Sequence, residues 1–210
     1  LHSGSLKPKL RGGTIPLRPS NMDIRARIFE ARSYTPIPLL IAILILANPS
    51  IISFIAGGLA VIIGESIRIW AVGYAGSATR TRHVGASALI TNGPYAYVRN
   101  PIYVGNFVLS LGLCMMAWAW MPYMVGVFII VFGVQYVMIV SLEEEHLQEI
   151  FGEEYTRYLQ QVSRFIPHIS GYPHASDFSF DLEAALRSER RTFQAITAVT
   201  LLIALRWYLG

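Results

Sequence analysis

The residues best suited to chemistry lie in the segment GPYAYVRNPIYVG, residues 93–105, directly before a long apolar run. Its Gly-Pro pair, which opens at Gly93, is typical of a turn. Asn100 followed by proline is the pattern of a helix N-cap with proline at the first helical position. The free backbone N–H groups of such a helix start, with Arg99 beside them, favour an anion. We therefore expect Arg99 to orient a carboxylate or phosphate here.

The same segment carries three tyrosines, Tyr95, Tyr97 and Tyr103. Tyrosine rings can hold a cation or stack on an adenine ring. A single tyrosine at a membrane boundary is more often an interfacial anchor, so a ligand contact is inferred only from the combined motif. Together with the anion site, the rings suit a ligand that carries both a carboxylate and a cation.

A run of three carboxylates, Glu143, Glu144 and Glu145, opens a second polar segment at residues 141–167. Adjacent carboxylates near a low-dielectric boundary repel one another unless some of them meet a cation. We interpret Glu143 as part of a solvated face. Glu144 and Glu145 are candidates for taking a proton from a reacting group or for binding a ligand's hydroxyl and amino groups.

Glu143 and His146 also form an ExxH pair. A di-iron site requires a second such pair with further carboxylates, and the remaining histidines are scattered along the chain. We therefore predict no metal site. His83 is kept as a candidate cofactor contact, because it lies shortly before the first motif.

The elements that position these residues are predicted to be membrane helices. The chain has 210 residues, of which 53% are hydrophobic and only 14% charged, whereas soluble domains carry about 25% charged residues. About 20 apolar residues suffice to cross a bilayer. Apolar runs occur at roughly 37–47, 51–74, 101–121, 123–140 and 193–209. This pattern predicts an all-α, polytopic transmembrane protein with about five membrane helices, the first of which needs residues before Ile37 to span.

The distribution of basic residues predicts the topology. Before the first span the chain has seven basic residues against two acidic ones, Asp23 and Glu30, and the positive-inside bias makes this end cytoplasmic. Two helical hairpins then return residues 75–100 and 141–192 to the same cytoplasmic face. The ligand site should therefore form between the loop before the third membrane helix and the segment after the fourth. The basic bias indicates contact with anionic lipids and no nucleic-acid partner.

Charged and small residues within and after the spans carry further predictions. Glu65 and Arg68 lie three residues apart on one helical face, which favours an ion pair or a place in the acceptor cavity. The small residues Gly57, Gly58, Ala60 and Gly64 favour close helix packing. The segment 176–192 is typical of an amphipathic helix capped by serine or aspartate and leading into the last span.

Two motifs together, TNGPYAYVRNPIY and EEEHLQEIFGEEYTRYLQQVSRFIP, resemble the isoprenylcysteine carboxyl methyltransferase and phospholipid methyltransferase family of integral membrane enzymes. The resemblance covers roughly residues 61–168. It implies that S-adenosylmethionine binds between a cytoplasmic loop and the last helices of the core, without a Rossmann domain. The acceptor would be a lipophilic small molecule or a lipidated substrate.

The family's functional positions carry over onto matching residues of this chain. The first motif is matched by Gly93, Tyr95, Arg99, Asn100 and Tyr103. The second is matched by Glu144, Glu145, Leu147, Phe151, Gly152, Tyr155 and Tyr158. Of these, Arg99, Glu144 and Glu145 are predicted to be catalytic, and Arg99 and Glu145 to be essential. Many family members have histidine where Asn100 stands, so an imidazole contact would here become an amide contact.

The leading hypothesis is an S-adenosylmethionine-dependent methyltransferase with three parts: a basic N-terminal segment (1–35), a transmembrane core (36–168) and a linker helix with a C-terminal membrane helix (169–210). A membrane reductase of the sterol reductase type, using NADPH, is a second hypothesis. A non-catalytic membrane scaffold is a third. The sequence does not decide the acceptor, the membrane or the oligomeric state.

Overall fold

A computed structural model of the protein describes residues 24–76 and 88–209. The described part consists of α-helices joined by loops and one 3₁₀ turn at Gly93–Ala96. His83, a candidate cofactor contact, lies outside the described residues. The helices are α1 (Ile24–Ala31), α2 (Ile37–Ile45), α3 (Ile51–Ala75), α4 (Pro101–Ala117), α5 (Tyr123–Phe151), α6 (Glu153–Gln161) and α7 (Leu182–Leu209).

Helices α3, α5 and α7 are long and apolar enough to cross a membrane, and α4 is a shorter apolar helix of 17 residues. The prediction of an all-α, polytopic membrane protein is therefore confirmed. The first apolar run forms only the nine-residue helix α2. At 1.5 Å per residue α2 is about 14 Å long, less than half of the bilayer's apolar thickness. The asparagine and proline that follow it end the helix before Ser50 caps α3.

Helices α3 and α4 pack with their backbones in direct contact. A side chain at Gly57 would overlap the backbone of Met116, and one at Gly64 would overlap the backbone of Leu109. On α4, Gly105 and Gly112 face α3 in the same way. Because the glycines recur every seven residues on both helices, one glycine face meets another over two turns. The predicted close packing at Gly57 and Gly64 is confirmed.

Helix α5 carries the three adjacent glutamates because it continues well beyond its apolar part. It ends at Phe151, where Gly152 adopts a φ of +53°, a left-handed conformation that glycine tolerates. Helix α6 starts directly afterwards. Gly152 therefore separates α5 from α6, which carries Tyr155 and Tyr158.

Residues 163–181 form an extended strap that runs antiparallel to the loop before α4. Backbone N–H groups pair the two segments in order: Arg99 donates to Ser163 O, His168 to Tyr97 O and Tyr172 to Ala96 O, each at 2.9 Å. The strap leads into α7, which packs along α3. The predicted amphipathic helix therefore begins later than residue 176, because Ser176 and Phe178 bond to the loop instead. Its cap is Asp181, whose Oδ1 accepts from Ala184 N at 2.9 Å.

Candidate functional site

A cavity of about 610 Å³ lies between the helices and the loop before α4. Its wall on α4 is built from Tyr103, Asn106 and Ser110, and its wall on α5 includes Gln135 and Glu143. These spacings of three, four and eight residues place each set on one face of its helix. From Glu143 to Gln135 the cavity follows α5 for about 12 Å toward the membrane interior. One cavity therefore joins the loop to the apolar part of the helices.

Tyrosines line the loop end of the cavity, where Tyr95 of the 3₁₀ turn lies near Tyr155 and Tyr158 of α6. The hydroxyl of Tyr158 donates to the backbone carbonyl of Tyr95 at 2.6 Å, which fixes α6 against the turn. Burial raises the pKa of all three phenols, and nearby acidic groups add to the rise. The three rings are therefore neutral at physiological pH and offer uncharged aromatic faces to a ligand.

Glu144 is the centre of a hydrogen-bond network that holds three segments together. Its Oε1 accepts from Arg99 Nε and from Asn100 Nδ2, each at 3.0 Å. Its Oε2 accepts from Arg164 Nη2 at 2.6 Å. The Glu144 side chain is only 8% exposed, so two guanidinium groups neutralise a carboxylate withdrawn from water. The network joins α5 to the loop before α4 and to the strap.

Arg99 binds Glu144 a second time, through Nη2 at 3.3 Å, and its Nη1 binds backbone. This Nη1 donates to the carbonyl of Val162 at 2.6 Å and to that of Leu159 at 3.1 Å, at the C-terminal end of α6. Asn100 has the position of an N-cap, but its side chain makes no cap bond and instead contacts Glu144 and the carbonyl of Arg164. Arg99 and Asn100, the two predicted ligand contacts, therefore line the cavity. Their side chains already make hydrogen bonds to other groups of the protein.

The three adjacent glutamates point in three directions, because successive helical residues are separated by about 100°. Glu143 lines the cavity and accepts a hydrogen bond from the Tyr103 hydroxyl at 2.8 Å. The interpretation of Glu143 as part of a solvated face is therefore wrong. Glu145, predicted as a site residue, has a 55% exposed side chain paired with Arg25 of α1. The structure does not bring Glu145 to the cavity.

Arg68 of α3 lines the deeper part of the cavity within a buried charged cluster. Its Nε lies 3.4 Å from Glu65 Oε2, which confirms the predicted pair on α3. Its Nη2 donates to Glu189 Oε2 of α7 at 2.6 Å, and its Nη1 donates to Asn106. Glu189 is fully buried. The C-terminal helix therefore contributes directly to the wall of the cavity.

Gly93 contributes to the site through the backbone. It has a φ of +57° and packs against the ring of Tyr74, which a side chain at this position would overlap. The turn that presents Tyr95 depends on this close approach. Among residues 24–76 and 88–209 there is no group of three or more His, Cys, Asp or Glu side chains arranged to hold a metal ion.

Sequence reasoning missed several residues that line or support the cavity: Arg32, Asn106, Gln135, Glu143, Arg164 and Glu189. Two of them follow from helical spacing. Asn106 lies three residues after Tyr103, so it shares a helix face with that predicted site residue. Gln135 lies eight residues before Glu143 and shares a face with it, and Glu143 is next to the predicted site residue Glu144. Polar residues within an apolar helix usually face a cavity or a partner. Arg164 and Glu189 depend on tertiary contacts over long sequence separations.

The comparisons with known proteins agree with this architecture. Residues 52–154 match the family model described as phospholipid methyltransferase. A protein-S-isoprenylcysteine O-methyltransferase of Tribolium castaneum is 34% identical over 126 residues, covering 53% of this chain and 40% of that protein. The Homo sapiens protein of the same name is 33% identical over 129 residues, covering 56% and 42%.

A cobalt-zinc-cadmium resistance protein, CzcN of Cupriavidus metallidurans, is 28% identical over 102 residues, covering 49% of this chain and 46% of that protein. The matches span less than half the length of these three relatives. No solved structure matches the chain. The match to the family model and the named relatives confirm the resemblance carried by the two motifs, over the part of the chain that runs from α3 to the start of α6.

Proposed function

We propose that this protein transfers a methyl group from S-adenosylmethionine to a lipophilic acceptor in the membrane, either an isoprenylcysteine carboxylate or an amino lipid. The observation that carries the proposal is the single cavity that joins the tyrosine-lined loop to the membrane-depth faces of α4 and α5. A water-soluble donor can reach the loop end, and a membrane-held acceptor can reach the deep end. Similarity to the phospholipid methyltransferase family model and to the named methyltransferases supports methyl transfer as the reaction.

The residues at the loop end fit S-adenosylmethionine by their chemistry. Neutral aromatic faces from Tyr95, Tyr155 and Tyr158 suit both the adenine ring and the sulfonium cation. The carboxylate of Glu143 suits the amino group of the donor. The cavity volume of about 610 Å³ lies within the range typical of small-molecule sites. When bound, the donor supplies a methyl group activated by the positive charge of its sulfur.

The protein's own part in the reaction is to align the two substrates and to exclude water. If the acceptor is a carboxylate, no base is needed, because a desolvated carboxylate is already nucleophilic. If the acceptor is an ammonium group, it must first lose a proton. Two carboxylates among the described residues line the cavity, and Glu189 is bound to Arg68. The other is Glu143, whose orientation is fixed by the Tyr103 hydroxyl at 2.8 Å. We assign the role of proton acceptor to Glu143, in place of Glu144 and Glu145.

Glu144, Arg99 and Arg164 act as positioning residues in this proposal. Their network fixes the start of α4, the end of α6 and the strap in one arrangement. Asn100 adds an amide contact to the same carboxylate. The loop and the strap would face the cytoplasm, in keeping with the basic N-terminal segment. The division into segments 1–35, 36–168 and 169–210 remains part of the proposal.

The test is transfer of labelled methyl groups by the full chain in liposomes. S-Adenosylmethionine is offered with either an S-farnesyl cysteine derivative or phosphatidylethanolamine, and binding of NADPH is measured in parallel. The proposal expects label in one of the two acceptors. With an amine acceptor, Glu143→Gln should slow transfer by about 10²–10⁴-fold, whereas the exposed Glu149→Gln should not. No label with NADPH bound would favour a reductase, and no label with neither cofactor bound would favour a scaffold.

A further inference from the structure

Three arginines line the cavity: Arg32, Arg68 and Arg99. Arg68 is neutralised by Glu65 and Glu189, and Arg99 by Glu144. Arg32 differs from both, because no carboxylate among the described residues lies within ion-pair distance of it. Its guanidinium lies 3.9 Å from the ring centroid of Phe29, and its Nη1 donates to the Phe29 carbonyl at 3.3 Å.

The location of Arg32 separates it from the loop end of the cavity. It lies directly after α1, which packs against α5. Its carbonyl accepts from Gln135 Nε2 at 3.5 Å, and its positive charge acts on both Glu143 and Tyr103. Arg32 therefore occupies the stretch between Glu143 and the deeper polar residues.

A half-buried guanidinium at a membrane boundary favours an anionic partner, because burial strengthens its attraction to an anion. The planar fork of arginine matches a carboxylate or a phosphate with two parallel hydrogen bonds. The ring of Phe29 contacts one face of the cation and the Phe29 carbonyl accepts from Nη1, so the edge formed by Nε and Nη2 is the one that can make such bonds. We propose that Arg32 binds the anionic group of the acceptor, a carboxylate or a phosphate.

This inference rests on the proposed function, and it transfers to Arg32 the anion contact that the sequence suggested for Arg99. Arg99 cannot readily supply that contact, since its donors already bind Glu144, Leu159 and Val162. The two candidate anions, a carboxylate and a phosphate, differ in their position relative to the group that is methylated. A carboxylate is itself the methylated group in an isoprenylcysteine, whereas a phosphate lies next to the reacting amine in an amino lipid.

The test measures equilibrium binding to the full chain in detergent, without any methyl donor. Two matched pairs of probes are used: N-acetyl-S-farnesylcysteine against its methyl ester, and hexadecyl phosphate against hexadecanol. The wild type should bind the anion of at least one pair about tenfold more tightly than the uncharged partner. The pair that shows the difference identifies carboxylate or phosphate. Equal binding within both pairs would overturn the proposal.

Three variants locate the effect. Arg32→Gln should abolish the preference for the anion, and Arg32→Lys should retain part of it because it keeps the charge. Arg27→Gln removes the same charge from an exposed position on α1 and should behave like the wild type. A preference that persists in Arg32→Gln would contradict the assignment, and the partial preference of a folded Arg32→Lys protein guards against misfolding as an explanation.

A separate measurement with S-adenosylmethionine distinguishes the donor from the acceptor. Arg32→Gln should bind the donor within about twofold of the wild type. A tenfold loss of donor binding, with the anion preference of the probes unchanged, would mean that Arg32 holds the donor's carboxylate instead. Because the probe experiment needs no methyl transfer, a wild type that fails to bind the donor would refute the proposed function and leave the test of Arg32 intact.

Discussion

Glu144 accepts hydrogen bonds from Arg99, Asn100 and Arg164, which lie on two segments distant from it in sequence. Replacing it by Gln leaves two guanidinium groups without their carboxylate in a site largely withdrawn from water. We expect the free energy of unfolding to fall by about 3–5 kcal/mol, with a lower melting temperature in detergent. Glu149→Gln, at an exposed position of the same helix, is the control. An unchanged melting temperature would show that the network does not hold the site.

The same residues show what sequence can predict at this scale. Motif matching singled out Glu144, Arg99, Asn100 and Tyr103, and the structure places all four around or beside one cavity. Motif matching did not distinguish the roles of the three adjacent glutamates. That distinction depends on the rotation of α5 about its axis, which is set by packing against α4 and α1 and not by local sequence.

The glycine face between α3 and α4 is the element-scale feature most open to test. Gly64→Ala should destabilise the protein by about 1–3 kcal/mol or more, because the new methyl group would meet the backbone of Leu109 and cannot be relieved by a side-chain rotation. Gly133→Ala on α5 meets nothing within 4 Å and should be neutral or slightly stabilising, since alanine favours helix. Thermal unfolding of both variants measures the difference. Equal melting temperatures would contradict the close contact.

Hydropathy predicted the positions of the helices well. The ends of a helix were predictable where a glycine or a proline marks them. Gly152 ends α5 and Pro101 begins α4, as their residue types predict. The first apolar run became a short helix that cannot span alone. Helix α7 begins at Leu182, later than predicted, because Ser176 exchanges hydrogen bonds with Thr91, 85 positions away in the chain. Local sequence contains no trace of that partner.

At the scale of the whole molecule, α7 is bound to the core through the ion pair between Glu189 and Arg68. Glu189→Gln should lower the free energy of unfolding by about 3–5 kcal/mol, because it removes one partner of a fully buried pair. Glu183→Gln lies on the same helix with an 84% exposed side chain and is the control. Thermal unfolding in detergent gives the comparison. If both variants unfold like the wild type, α7 is an appendage and not part of the cavity wall.

The all-helical membrane architecture was predictable because apolar length alone determines which segments can cross a bilayer. The assembly of one cavity from faces of α1, α3, α4, α5, α6 and α7 was not, because only tertiary packing determines which face of each helix lines it. In the sequence, α4 and α5 were identified only as apolar runs, with no face singled out as a cavity wall. In the structure, Asn106, Ser110 and Gln135 form a polar lining at membrane depth.

The most direct measurement of the central claim is equilibrium binding of S-adenosylmethionine to the detergent-purified full chain and to two variants, Glu143→Gln and Glu145→Gln. The two glutamates are separated by a single residue, but one lines the cavity and the other is paired with Arg25 at the surface. We predict that Glu143→Gln weakens binding about tenfold or more and that Glu145→Gln leaves it unchanged. Loss of binding in Glu145→Gln alone, or no binding by the wild type, would contradict the account.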